Sequence, residues 1–297
     1  MKKLSNIGII AFERSKEVRK LIAEIVSYSA FNSHTFYFNR GIFSLPAGPR
    51  VKTAEVKEFL KKIDVLVSVG GDGTFLSAAR LVATSRIPLI GINMGRLGFL
   101  TDIAAASAVE QLSDILKGRY RSEKRIMFDV SLVRSGRVAA RDICLNDVVI
   151  KGLGKLLNLS VFYGRELVSF YNSDGLIVAT PTGSTAYSMA SGGPIVYPSL
   201  NSVIITPICS HSLTQKPIVC SIVKPVTVKM HDEKTAMHLN IDGKKRLPLR
   251  CGDEVRITRS RHDTTLLAPK NVTYFQVLRE KLLWGKAPNP KATARSS

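Results

Sequence analysis

The apolar positions of this chain follow one rhythm up to Gly118 and another after Arg125. In the first stretch, short apolar runs alternate with segments of helical spacing. Ile7 to Phe12 reads as a strand, and Val18, Leu21, Ile22, Ile25 and Val26 then recur at i, i+3, i+4, i+7 and i+8. That recurrence predicts a helix starting near Ser15 with one apolar face. His34 to Phe38 reads as a second strand, Asn39 to Lys52 as a loop of mixed polarity, and Thr53 to Lys62 as a helix. Val65-Leu-Val-Ser-Val69 leaves no polar face and predicts a buried parallel strand. Phe75, Leu76, Ala79, Val82 and Ala83 return to helical spacing, Ile87 to Ile92 reads as another strand, and Ser107-Ala-Val-Glu110 is a capping box opening a helix that ends at Gly118. Strands alternating with helices predict a parallel α/β layer.

From Arg125 to Pro269 the pattern becomes one of short strand-like runs separated by Gly, Pro, Asn and Asp. Examples are Met127 to Val133, Ile143 to Ile150, Leu159 to Tyr163, Leu176 to Thr180, Val203 to Pro207, Val226 to Met230 and Glu254 to Thr258. Such spacing predicts a largely β second domain. The expected fold is therefore an α/β N-terminal domain with a parallel sheet, followed by a mainly β, sandwich-like C-terminal domain.

The buried strand at Val65 stops at Gly70-Gly-Asp-Gly-Thr74, a strand-to-helix turn. Its glycines permit close approaches that a Cβ forbids, and the helix start offers free N–H groups to an anion. Asp72 would repel a phosphate. In an isolated Gly-Asp-Gly it reads most simply as a helix cap, and alternatively as a group that takes a proton from an attacking hydroxyl. Two later stretches bear on that choice: Asn146-Asp147, and the long run Ser173 to Pro194. An Asn beside an Asp can donate to and accept from a ribose diol or an adenine edge, although the pair is also common in turns. Asp174-Gly175 reads as closing a turn before the strand Leu176 to Thr180. Pro181-Thr-Gly-Ser-Thr185 then bends into a small-residue helix from Ala186. Small residues there let a flat base lie against the backbone, with the hydroxyls of Thr185 and Ser188 as polar contacts and Tyr187 to stack. Close helix–sheet packing with Tyr187 in the core explains the same residues. Neither G-x-G-x-x-G after the first strand nor the Walker spacing G-x-x-x-x-G-K-[ST] is present.

With Gly70 to Thr74, Asn146-Asp147 and Asp174 to Pro194 taken together, the sequence closely resembles the bacterial NAD kinases, from about Ile63 to Tyr274-Phe275. These enzymes phosphorylate the 2′-hydroxyl on the adenosine ribose of NAD to give NADP. The glycine-Asp turn alone is less specific, since diacylglycerol and sphingosine kinases and, more loosely, phosphofructokinases carry a similar one. The resemblance implies that Asp72 accepts the hydroxyl proton, and that Gly71, Gly73, Thr74 and the turn Asn93 to Gly98 receive phosphates. It implies that Asn146 and Asp147 meet the adenosine portion of NAD, and that Asp174, Thr185, Ala186, Tyr187, Ser188, Met189 and Ala190 line the dinucleotide pocket. Lys244 stands where members often have Gln after Asp-Gly, and inherits that position's contact. ATP or polyphosphate would be the donor, Mg²⁺ would arrive with the nucleotide, and assembly would be a homodimer or homotetramer. The resemblance also divides the chain: an α/β domain over 1–118 completed by about 272–285, and a β domain over 119–271 that binds NAD. The tail at 286–297, with two Pro steps and a Lys-Ala-Thr-Ala-Arg run, reads as disordered.

Composition narrows the alternatives. A chain of 297 residues, 45% of them hydrophobic, can bury a sizeable core and is long enough for two domains. No apolar stretch reaches the length of a membrane span, and Met1 to Asn6 leads straight into a strand without a signal-peptide core, which predicts the cytosol. The four cysteines lack metal-type spacing; Cys144, Cys209 and Cys220 sit among apolar neighbours and read as buried thiols. A net charge of +20 attracts polyanions in general. Its clusters at Lys117 to Arg125, Lys244 to Arg250 and Arg256 to Arg261 are not interleaved with aromatics, so a solvated basic surface suits nucleotide substrates better than specific nucleic acid or a membrane. His211 reads as structural, and no residues have metal-ligand spacing. A lipid kinase and a non-enzymatic nucleic-acid binder rank below the NAD kinase reading. The first is disfavoured by the polar Thr180 to Ser188 segment, and the second has no use for Asp72.

Overall fold

The computed structural model describes residues 4–12, 15–39, 48–95, 98–233 and 235–284. They divide into two compact units. One takes in the chain to Ala78, Ile87–Ser122 and the residues from Leu266; the other is Ala79–Arg86 with Glu123–Thr265. The expected loop at 40–47 and the expected disordered tail lie outside the described residues.

The first unit begins with β1 (Asn6–Ile10), α1 (Lys16–Ser27), β2 (Thr35–Asn39), β3 (Val51–Ala54) and α2 (Val56–Lys62). It continues with β4 (Val65–Val69), α3 (Asp72–Val82, whose last turn belongs to the other unit), β5 (Leu89–Asn93), β6 (Ile103–Ala104) and α4 (Ala108–Leu116). On α1 the buried residues are Val18, Leu21, Ile22, Ile25 and Val26, the five picked out by periodicity, and Ser15 caps it by accepting from Val18 N–H at 3.3 Å. Every residue of β4 and β5 is buried, which is why these strands carry no alternation. The strands pair in parallel in the order β3-β2-β1-β4-β5-β6. The chain thus builds outward from β1 to β3, returns, and builds the other way from β4. The carboxyl ends of β1 and β4, with Ile10 opposite Ser68, flank the point where the direction of building reverses. Ligands of open α/β sheets bind at such a point.

Two expectations fail in this unit. Val51–Ala54 is a strand, inside the segment read as loop and helix; its hydrogen bonds come from β2, a partner that local periodicity cannot reveal. Ser107 forms no capping box. A 3₁₀ turn at Ala105–Ser107 precedes α4, and the Ser107 hydroxyl donates back to Ala104 O at 3.3 Å. The helix does end at Gly118, at φ +86°.

The second unit is antiparallel. Its strands are β7 (Tyr120–Arg134, whose first three residues belong to the first unit), β8 (Arg137–Cys144), β9 (Asp147–Gly152), β10 (Leu157–Tyr163), β11 (Glu166–Ala179) and β12 (Ser202–Ser210). β13 (Ile218–Ser221), β14 (Val226–Met230), β15 (Met237–Ile241), β16 (Lys245–Leu249) and β17 (Glu254–Pro269, entering the first unit at Leu266) follow. One sheet runs β16-β15-β9-β11-β12-β13. The early half of β11 pairs instead with β10, and through it with β14 and β17. Between these layers lies one core that includes Phe128, Ile150, Leu159, Leu176, Val228, Leu239 and Ile257. On the other face of β9, β11 and β12 a smaller cluster of Val149, Ile177, Ala179, Val196, Ile204 and Ile208 is covered as well. The short α5 (Tyr187–Ala190) follows the 3₁₀ turn Thr182–Thr185, and α6 (Tyr274–Leu282), capped by Thr273, belongs to the first unit.

Here too the structure corrects the sequence. Ile143 to Ile150 is broken at Leu145 and Asn146, because their N–H groups turn to the carboxylate of Asp242 rather than to a neighbouring strand. Asp174-Gly175 is no turn but the middle of β11, with Gly175 paired to Lys151 on one side and Ile208 on the other. Its glycine serves close strand packing: a Cβ there would meet Ile150 O at under 3.0 Å. Of the cysteines, all free, Cys144 is buried, but Cys209, at φ +46° near the end of β12, is exposed despite its apolar neighbours. Among the described residues no helix is long and apolar enough to cross a membrane.

Gly175→Ala forces the backbone of β9 and β11 apart. The expected loss, about 1–3 kcal/mol, is read as a lower denaturant midpoint at unchanged slope. An unchanged midpoint would mean that these strands separate without cost.

Candidate active site

In the first unit, the helix α3 starts directly at Asp72. Thr74 N–H and Phe75 N–H both return to Gly71 O, at 2.9 and 3.2 Å. The N–H groups just ahead of them are those for which a helix start has no internal acceptor. Asp72 does not cap its own helix. Its Oδ2 accepts from Phe99 N–H at 3.2 Å, and its Oδ1 accepts from Leu100 N–H at 3.3 Å and from the Thr101 hydroxyl at 3.2 Å. Thr101 Oγ1 in turn accepts from Asn93 Nδ2 at 2.7 Å, and Asn93 Oδ1 accepts from Gly95 N–H at 2.8 Å. Gly98 is what lets the two segments meet, since a Cβ there would overlap the Asp72 carboxylate. Phe99, Leu100 and Thr101 therefore hold Asp72 in place. Three donors leave one of the about four lone-pair sites on its oxygens free to accept from a further donor. Gly71 is exposed, and a Cβ there would touch nothing within 4 Å, so no packing within the protein explains it.

In the second unit, Asn146 and Asp147 stand where β8 gives way to β9, and both are buried. Thr180, just past β11, clamps the backbone of Leu145 and Asn146: its N–H donates to Asn146 O at 2.8 Å and its hydroxyl to Leu145 O at 2.5 Å. Asn146 Oδ1 and Thr182 Oγ1 are buried without a hydrogen-bond partner. Asp147 accepts from Tyr187 N–H. Burial, and then the negative charge of Asp242, push the Asp147 carboxyl up to about 7, against the pull of that bond. Asp242 is itself raised by burial, the N–H groups of Leu145, Asn146 and Asp147 and the Cys144 thiol opposing. The Cys144 thiol is pushed well up by burial and by both carboxylates, so it stays a neutral donor to Asp242.

The structure thus brings Asn146, Asp147, Thr182 and Tyr187 together. Tyr187 is 37% exposed rather than in a core, with Lys151 Nζ 3.4 Å from its hydroxyl. Other candidates are differently disposed. Ser188 is fully buried and shares a 2.9 Å hydrogen bond with Thr206, and the Thr185 hydroxyl donates to Thr182 O at 3.3 Å. Asp174 is exposed on β11, Ala186 and Met189 are half-buried, and Ala190 is exposed. Lys244 is exposed in the turn that joins β15 to β16. Among the described residues no three His, Cys, Asp or Glu side chains gather to hold a metal ion. Sequence reasoning missed Asp242 and Arg80, whose Nη1 lies 3.9 Å from the Asp242 carboxylate. The usable signal for Arg80 was one cation on a helix whose neighbours Ala78, Ala79 and Val82 are small or apolar.

Comparison with known proteins adds to this geometry. Residues 12–120 match the ATP-NAD kinase N-terminal domain, and residues 145–268 the ATP-NAD kinase C-terminal domain. The chain belongs to the NAD kinase family. It is 37% identical to the NAD kinase of Aromatoleum aromaticum over 288 residues, covering 95% of each chain. Its fold is that of yeast NADH kinase, crystallised with NADH, at a TM-score of 0.86 and 23% identity over 97% of this chain and 90% of that one. The NAD kinase from Archaeoglobus fulgidus, in complex with ATP, aligns at a TM-score of 0.69 and 25% identity, over 94% and 98%. As a member of the NAD kinase family the protein is a kinase, and the expected α/β and β architecture is the one observed.

The buried Asp147 makes stability depend on pH. In the unfolded chain this carboxyl ionises near pH 4, and in the folded one at about 7, so the folded state holds the proton more tightly. Its contribution to stability is complete below about pH 4, and is lost as pH rises through about 7. Asp147→Asn removes the ionisation. The melting temperature of the variant relative to the wild type is expected to climb from pH 5 to pH 8. A difference that stays flat would assign the titration to another group.

Proposed function

We propose that this member of the NAD kinase family transfers the terminal phosphoryl group of ATP, or of polyphosphate, to the 2′-hydroxyl of the adenosine ribose of NAD. Asp72 acts as general base. The observation that carries this is the Asp72 carboxylate at the end of β4, beside the reversal point of the sheet, held by Phe99, Leu100 and Thr101 with a lone pair to spare. The hydroxyl O–H bond breaks as its oxygen forms the new bond to phosphorus. The proton passes to Asp72, and the donor's bridging oxygen leaves with the electron pair of the broken P–O bond. A positioned base contributes about 10²- to 10⁴-fold, and orientation and backbone electrostatics supply most of the rest. Gly71, Gly73 and Thr74 receive phosphate at the helix start.

The NAD side of the reading rests on Asn146, Asp147 and Tyr187. A buried acceptor without a partner, such as Asn146 Oδ1, has a lone pair waiting for a ligand donor, and Thr182 Oγ1 adds a second. Asp147, once ionised, accepts from a sugar diol, and the exposed Tyr187 ring offers a face to a base. Asp174, Thr185, Ala186, Ser188, Met189, Ala190 and Lys244 remain part of the proposed lining, with Thr185 and Ser188 contributing shape rather than free hydroxyls. ATP as donor draws support from the ATP complex of the Archaeoglobus fulgidus relative. Asp72 is the single carboxylate of the Gly70 to Thr74 turn, so Mg²⁺ fits as a cation held by the nucleotide's phosphates, whose charge it offsets. In the same proposal 1–118 with about 272–285 form the α/β domain that carries the Gly70 to Thr74 turn, 119–271 bind NAD, and the enzyme works in the cytosol as a homodimer or homotetramer.

Purified protein with NAD, ATP and Mg²⁺ is expected to yield NADP, read through an NADP-specific dehydrogenase. Asp72→Asn should keep KM for NAD while kcat falls by about 10²- to 10⁴-fold; comparable turnover would remove Asp72 from the chemistry. Gly71→Ala, with open space around the added methyl, should melt like the wild type and yet lose affinity for the donor. Unaltered donor kinetics would mean that phosphate does not approach Gly71.

A further inference from the structure

Asp242 carries no role in the proposed chemistry, yet its side chain is fully buried and more densely hydrogen-bonded than that of Asp72. It sits at φ +50° at the end of β15, followed by Gly243 at φ +66° in a turn where Lys244 N–H returns to Ile241 O. From there Oδ2 accepts from Leu145 N–H at 2.9 Å. Oδ1 accepts from Asn146 N–H at 2.8 Å, Asp147 N–H at 3.1 Å and the Cys144 thiol at 3.2 Å. Three successive backbone N–H groups converge on one carboxylate, which is how a concave backbone segment takes an anion. The contact is reciprocal, because Asp242 N–H donates to Asp147 O at 3.0 Å.

A buried carboxylate needs a counter-charge as well as donors. Arg80 supplies it: its Nη1 lies 3.9 Å from Asp242 Oδ2 and donates to Ile143 O at 2.7 Å. Its Nη2 pairs with Asp142. Asp142 also accepts from Ile143 N–H at 2.8 Å and pairs with Lys245 at 3.0 Å. Burial works against ionisation of Asp142, but the bonds from Arg80, Ile143 and Lys245 outweigh it and hold its carboxyl below the usual range. The residues immediately before and within the Leu145–Asp147 break are therefore tied to two carboxylates and one guanidinium.

We propose that Asp242, neutralised by Arg80, is the positioning residue of the NAD site: it fixes the backbone of Leu145, Asn146 and Asp147 so that the two side chains face the nucleotide. This rests on the reading that Asn146 and Asp147 bind NAD. Asp242→Asn places an amide where the carboxylate accepted at both oxygens, and turns an NH₂ group toward backbone N–H donors. The turn relaxes, and a displacement on the order of 1 Å costs about a hundredfold in a positioned site.

The test is steady-state kinetics of the full-length enzyme, with melting curves and amide exchange. Asp242→Asn is expected to raise KM for NAD about ten- to a hundredfold, with KM for ATP within about twofold. Exchange should quicken at Leu145, Asn146 and Asp147 while Val148 to Ile150 stay protected. The double variant Asp242→Asn/Asn146→Ala should be little worse than the worse single, because both act on one contact. Additive losses, or equal loss of NAD and ATP affinity, would reduce Asp242 to general stability and overturn the proposal. If Asp242→Asn does not fold, Arg80→Met reports instead. It should move NAD affinity the same way by a smaller factor, and an unchanged KM for NAD in that folded variant overturns the proposal too. Asn146→Ala and Asp147→Ala keep the two readings apart. If neither changes KM for NAD, the underlying assignment of the site fails. If they do and Asp242→Asn does not, only the positioning role fails.

Discussion

A carboxylate drawn partly or wholly out of water must be received by donors, and in this protein the half-buried Asp72 and the buried Asp242 meet that demand by gripping a segment from elsewhere in the chain. Asp72 holds Phe99, Leu100 and Thr101; Asp242 holds Leu145, Asn146 and Asp147. In both cases the donors are mainly backbone N–H groups in or beside a connection between strands, where the ladder does not take them. The carboxylate and the turn satisfy one another, and each loses if the other moves. Leaving either half unpaired costs more than the net value of the bonds, so the turns are held in one conformation.

The elements that carry these turns are rigid for a more ordinary reason. β4 and β5 are buried along their whole length, and β9, β11 and β12 have an apolar cluster against each face. A strand packed on both sides cannot tilt without disturbing two cores. Sites built on the ends of such strands inherit their precision, and the small residues around them reflect the same closeness: Gly98 against Asp72, Gly175 against β9.

In the strand order β3-β2-β1-β4-β5 the glycine turn follows β4 instead of β1. Dinucleotide folds with the glycine fingerprint use the first strand. Here β1 is followed by Ala11 and Phe12, and the glycines appear on the other side of the same reversal point. The layer is shared with those folds while the chemistry differs. A carboxylate at the turn suits a kinase, which must take up a proton, better than a protein that only holds a pyrophosphate. The large positive charge is compatible with anionic substrates but does not by itself select among them.

Much of this was legible in the chain. The apolar face of α1, the buried strand at Val65, the glycine turn after it and the strand Val226–Met230 follow from periodicity and punctuation, which report how each residue's own neighbourhood is solvated. The family was legible as well, because long motifs of small and polar residues survive as strings. Tertiary structure alone decided the rest. Val51–Ala54 became a strand by pairing with β2. The run from Ile143 to Ile150 broke, and Asp174-Gly175 stayed extended between two partners. The hydrogen bonds that place Asn146 and Asp147 run from their N–H groups to Asp242, close to a hundred positions downstream. Local sequence determines which face of an element avoids water. Which distant carboxylate meets which unpaired N–H is settled only when the chain has closed on itself, since that choice depends on distances that no spacing along the sequence contains.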